Sequence, residues 1–123
     1  MLYCADSPSL ACLETLVHLG AGNLPLKRYL VAIDIADKLW NTRQITDLKS
    51  LPIAWNAFPA MQTSCNIGDD WLMRNDSGLL VVPSAIVPED SVILLNPQHP
   101  DVKRQVKASK MRAWHYDQRL LKV

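Results

Sequence analysis

The sequence predicts an α+β fold, a small mixed sheet with flanking helices. Three observations carry that prediction. Two short apolar runs, 79–82 and 91–95, have the length and composition of buried strands. They do not alternate with long helical segments, which argues against a doubly wound sheet. Eight prolines, mostly beside polar residues, cut the chain into short elements. With 123 residues, 49% of them hydrophobic and 20% charged, the chain suits one domain spanning 1–123.

Taken in order, Leu2 to Ala5 reads as the end of a strand. Ser7 is placed to cap a helix that starts at Pro8, and Gly20 to stop it. At about 100° per residue, Leu10, Cys12, Leu13, Leu16, Val17 and Leu19 cover about half the helix circumference. Glu14 falls about 40° beyond Leu10, at the rim of that apolar arc, with His18 one turn further on the same edge. This helix is expected to bury one face and to hold a carboxylate at the margin of the buried region. Arg28 to Ile35 is β-branched and aromatic, hence a strand. Asp47 to Pro59 reads as a loop anchored by Trp55 and Phe58. Thr63 to Arg74 reads as a helix burying Ile67, Trp71 and Leu72. Gly78 opens the strand 79–82, which Pro83 ends, and Asn96-Pro97 stops the strand 91–95. Met111 to Asp117 alternates and is expected to form the last strand.

Composition excludes several classes. Thirteen basic and twelve acidic residues leave a net charge of +1, which gives no support to direct nucleic-acid binding. Lys103, Arg104, Lys107, Lys110 and Arg112 lie close together and read as a solvated face. Cys4, Cys12 and Cys65 cannot all pair within one chain, and no CxxC or clustered histidine suggests zinc. A reducing compartment fits, no run is long enough to span a membrane, and the amino terminus has no signal-peptide pattern, so a cytoplasmic location is expected. No glycine-rich phosphate loop and no Gly-x-Ser-x-Gly elbow is present.

Five stretches, in order, resemble the RES family. They are Tyr3-Cys4-Ala5-Asp6-Ser7 followed by Leu13-Glu14-Thr15-Leu16-Val17-His18; Ile67-Gly68-Asp69 with Trp71-Leu72; Val82-Pro83-Ser84-Ala85; Leu94-Leu95-Asn96-Pro97-Gln98-His99-Pro100; and Asp117, Arg119 and Leu120. The resemblance runs from Tyr3 to Leu120. It implies an ADP-ribosyltransferase-like fold, with NAD⁺ as substrate rather than cofactor and cleavage at the nicotinamide–ribose bond. It implies the toxin half of a bacterial toxin–antitoxin pair, neutralised by an Xre-type antitoxin, in a dimer or larger complex. Two departures stand out. The family carries an arginine in a segment ahead of the tyrosine, whereas only Met1 and Leu2 precede Tyr3 here. Val92 stands where the family usually has asparagine.

By that resemblance the site residues are Tyr3, Glu14 and Ser84. Glu14 binds the ribose hydroxyls and stabilises the positive charge that develops as the bond breaks. Tyr3 stacks on nicotinamide or bonds the ribose. Ser84 binds NAD⁺ without acting as a nucleophile; read from the residues alone, it is a turn serine capping the backbone after Pro83. Asn96 is expected to hold the turn before Pro97, and His99 to pack or cap locally. Arg28 and Arg43 are the arginines that folding would have to bring to the site if the family arginine is to be replaced. Three outcomes stay open: an NAD⁺ glycohydrolase or phosphorylase, an ADP-ribosyltransferase acting on a protein, and an inactive fold that only binds its antitoxin.

Overall fold

A computed structural model describes residues 1–19, 27–47, 49, 51 and 62–121. The expected anchors Trp55 and Phe58 and the expected helix stop Gly20 lie outside the described residues, and nothing is described for the side chain of Cys65. The fold is α+β, with a mixed sheet and flanking helices as the sequence predicts. Strands β1 (Leu2–Ala5), β3 (Gln44–Ile45), β4 (Leu79–Pro83) and β5 (Ser91–Leu95) form a sheet in the order β1-β5-β4-β3. The β1–β5 and β4–β5 pairs are antiparallel and the β3–β4 pair is parallel. A separate antiparallel ribbon pairs β2 (Arg28–Ile35) with β6 (Val106–Trp114).

The central pair, β4 and β5, is buried on both faces, which is why it reads as unbroken apolar runs and not as an alternation. Leu79, Ile93 and Leu95 point to one side, against Leu39 of helix α2 (Asp37–Trp40) and Val102 of helix α4 (Pro100–Gln105). Ile33 and Ile35 of the ribbon close that cluster. Leu80 and Leu94 point to the other side, against Trp71 of helix α3 (Gln62–Arg74). Trp71 Nε1 donates to the buried Ser77 hydroxyl at 3.1 Å, so its polar edge is satisfied inside the core. Asn75 ends α3 with φ 55°, the left-handed conformation that asparagine tolerates at a helix exit.

Helix α1 (Pro8–Leu19) starts where the sequence places it. Leu10 N–H donates to the Ser7 hydroxyl at 3.2 Å, giving the expected cap. Its expected buried face is only partly realised. Leu10 is buried, but Leu13 and Val17 are 39% and 55% exposed. Periodicity reports which residues share a face and not how far the neighbouring sheet extends beneath it.

The last strand differs from expectation, since β6 begins at Val106 and ends at Trp114, not over 111–117. Its first half, Lys107 to Lys110, is exposed and is held by backbone pairing to β2 rather than by a buried face, so hydrophobic alternation does not reveal it. The basic residues 103, 104, 107, 110 and 112 are all exposed, as a solvated face requires. Among the described residues no helix is long and apolar enough to cross a membrane.

The motif around Asn96 is structural. Asn96 is buried; its side-chain oxygen accepts from Gln98 N–H at 3.0 Å and its amide donates to Asn75 Oδ1 at 2.6 Å. His99 caps α4, its Nδ1 accepting from Asp101 N–H at 3.2 Å. The closing Asp117–Arg119 pair is a local clamp at 2.8 Å, and the guanidinium holds the Asp117 carboxyl below the usual carboxylate range.

Gly78 enters this core between α2, α4 and β4. A Cβ there would collide with Val102 Cγ2 and touch Leu39 Cδ1 at 3.5 Å. Gly78→Ala is therefore expected to lower stability by about 1–3 kcal/mol, through overpacking at a site with no room to relax. Urea unfolding checks this; an unchanged midpoint would mean that Val102 moves aside freely.

Candidate functional site

The three predicted site residues arrive from three elements. Tyr3 lies in β1, cross-strand from Leu94, so it shares the sheet face of Leu80 and Leu94. The residue is 71% exposed, so it is not part of the core. Glu14 lies in the second turn of α1, with its side chain 25% exposed. Ser84 follows the last residue of β4 and is fully buried.

The structure joins two of them directly. Ser84 Oγ donates to Glu14 Oε1 at 2.9 Å, across 70 residues of sequence. The same hydroxyl oxygen accepts from Ile86 N–H at 3.1 Å and Val87 N–H at 3.2 Å. Ser84 is thus both the turn-capping serine and the support of Glu14. Fully buried and fully engaged, it meets Glu14 and the turn, not the open cleft. The other Glu14 oxygen, Oε2, lies 3.9 Å from Nε2 of the exposed His18. One carboxylate oxygen is anchored and the other is left at the cleft wall.

The entry to α1 is fixed from the same side. Asp6 N–H donates to Ser91 O at 3.2 Å, and the Asp6 carboxylate accepts from Ser91 N–H at 3.1 Å. Both ends of the Glu14 support therefore rest on the β4–β5 connection, whose Ser84 N–H donates to Asp90 O at 2.9 Å.

Two adjoining cavities meet at Tyr3, Glu14, His18 and Val92. The larger, about 490 Å³, runs over the sheet toward α3 and is walled by Leu80, Val82, Leu94 and Ile67, with Asp69 at its edge. That volume and apolar lining suit a flat ring or a small organic group. The smaller, about 310 Å³, runs toward β2 and includes Arg28 and Thr15. Val92, noted in the sequence as a departure from the family pattern, faces both. Asp69 was seen only as part of a motif, whereas Ile67 was also expected on the buried face of its helix. Ile67 stands one helical turn before the buried Trp71, which turns it toward the sheet.

The two arginines part company here. Arg43 is occupied: it stacks on Trp40 at 4.4 Å and donates to Trp40 O at 3.0 Å. Arg28 lines the cleft with Glu14. Cys4 also lines it, but burial pushes its thiol up, which keeps it protonated and poorly nucleophilic at neutral pH.

Comparison with known proteins shows the family of the chain. The RES domain family matches residues 1–118. A protein of Sphingobium sp. (strain YBL2) named Prs ADP-ribosylating toxin is 45% identical over 122 residues, 99% of this chain and 75% of that protein. Proteins named Toxin Res are similar too. That of Photorhabdus laumondii is 39% identical over 122 residues, 99% of this chain and 76% of its own length. That of Yersinia enterocolitica is 34% identical over 119 residues, covering 97% and 76%.

Ser84→Ala removes the donor to Glu14 and strands two turn N–H groups. The expected cost is about 1–3 kcal/mol of stability, measured by chemical unfolding. A loss under about 0.5 kcal/mol would show that the hydroxyl does not hold the turn.

Proposed function

The chain belongs to the RES domain family, and on that premise we propose that it is the toxin of a toxin–antitoxin pair that breaks the nicotinamide–ribose bond of NAD⁺. The observation that carries this reading is the Glu14 carboxylate. It is fixed through one oxygen by the buried Ser84 hydroxyl, with the other oxygen at the wall of a largely apolar cleft.

The chemistry asks for such a group. As the C–N bond breaks, its electron pair leaves with nicotinamide, which becomes neutral, and the ribose carbon becomes cationic. A carboxylate already held in place stabilises that cation without reorganising at the moment of reaction. Glu14 supplies it and Ser84 positions it. The exposed ring of Tyr3 offers a flat face beside Glu14 for the departing nicotinamide. An acceptor then adds to the ribose carbon. Water gives hydrolysis, phosphate gives phosphorolysis, and a protein side chain gives ADP-ribosylation. The name of the 45% identical relative favours the protein acceptor. The names of the Toxin Res relatives favour an antitoxin partner, for which we propose an Xre-type protein that covers this cleft.

Nicotinamide release from NAD⁺, followed by proton NMR, tests the reading. Glu14→Gln, which keeps size and hydrogen-bonding capacity, is expected to slow release by about 10²–10³-fold with an unchanged circular dichroism spectrum. Release that persists in the variant would remove Glu14 from the chemistry. No release from the unaltered protein, with water, phosphate and candidate acceptor proteins all supplied, would defeat the reading itself.

A further inference from the structure

Arg28 stands at the start of β2, cross-strand from Trp114 at the end of β6. Paired residues of an antiparallel ribbon project to the same side, and both line one small nook of about 100 Å³. Tyr116 completes its aromatic wall, with the Trp114 and Tyr116 rings edge-to-face at 6.1 Å. Arg28 also lines the 310 Å³ cavity that holds Glu14. It is the residue through which the two spaces connect, together with Ala11 and Thr15 of α1. From Glu14 outward, the surface therefore runs from carboxylate to guanidinium to aromatic rings.

The Arg28 guanidinium is uncommitted. Arg43 and Arg112 stack on Trp40 and Trp114, and Arg104 and Arg119 pair with Asp101 and Asp117. Arg28 has no side-chain hydrogen bond, ion pair or ring contact among the described residues. Arg112 over Trp114 at 4.9 Å adds positive charge beside the nook. A free guanidinium in positive surroundings suits a phosphate, which it meets with a planar fork. An aromatic wall beside it suits a flat heterocycle.

We infer that Arg28 and the nook of Trp114 and Tyr116 form the subsite for the adenosine diphosphate half of the substrate, with phosphate on Arg28 and adenine against the rings. This rests on NAD⁺ being the substrate that meets Glu14.

Two titrations and one rate comparison test it. ADP, which lacks the scissile bond, is expected to bind the unaltered protein and quench its tryptophan emission. Arg28→Ala, a change at an exposed and unpartnered side chain, should weaken ADP by about tenfold or more. Trp114→Phe should remove most of the quench while a circular dichroism spectrum shows the ribbon intact. In the rate assay, Arg28→Ala should raise KM for NAD⁺ yet leave nicotinamide riboside, which carries no phosphate, unaffected. Equal ADP binding with and without Arg28, or nicotinamide release with no ADP binding, overturns the subsite and leaves the proposed function standing. Arg28-dependent ADP binding without any nicotinamide release upholds the subsite and overturns the proposed function.

Discussion

The structure depends on one pair of strands being buried on both faces. The β4–β5 pair sends Leu79, Ile93 and Leu95 into one cluster and Leu80 and Leu94 into the other. Each fully buried leucine is worth roughly 1.5–3 kcal/mol over an exposed one, so this short pair anchors most of the apolar gain on both sides of the sheet. It also dictates what surrounds it: α2, α4 and the β2–β6 ribbon on one face, α3 on the other, and β1 and β3 at its flanks.

The site inherits its geometry from that pair. Ser84 is the first residue beyond β4, Tyr3 is in register with Leu94, and Asp6 bonds the backbone at Ser91. Glu14 is on a helix outside the sheet, and α1 is tied down at both places that matter, by Asp6 at its entry and by Ser84 at its second turn. A carboxylate on a surface helix would ordinarily sample several rotamers. Here one rotamer is selected by a donor whose own oxygen is held by two turn amides. That is preorganisation in a concrete form, with the ordering entropy of the side chain met during folding.

How far this was legible in the sequence differs by residue. The strands 79–82 and 91–95 were legible because burial on both faces leaves an unbroken apolar run, and the start of α1 because Ser7-Pro8 states it chemically. The strand β6 was half hidden, since its pairing with β2 is a backbone matter and Lys107 to Lys110 carry no buried face. The exposure of Leu13 and Val17 was invisible, because helical period does not encode the extent of the opposing surface. Glu14 was legible as a rim carboxylate, but its bond to Ser84 was not, since nothing local couples positions 70 residues apart. Arg28 was legible as a strand-start arginine and, with Arg43, as one of two arginines that folding could bring to the site; which of them lines the cleft is set by the tertiary fold.

The same geometry constrains who supplies the acceptor. A serine hydrogen-bonded to a carboxylate invites comparison with an activated nucleophile, but Ser84 is fully buried and its lone pairs already receive Ile86 and Val87 N–H groups. Cys4, which lines the cleft, has its thiol pushed up by burial, so little thiolate is present at neutral pH. Glu14 itself is held by one oxygen in a position suited to stabilising charge. With Ser84 committed to support and Cys4 kept as a thiol, neither offers the cleft a covalent route. On the proposed chemistry, the ribose cation is captured by a molecule that enters from solvent, through the exposed side formed by Tyr3 and His18. The identity of that acceptor is then decided by what can reach this open side while nicotinamide leaves, and a partner seated over Tyr3 and Glu14 would block substrate and acceptor together.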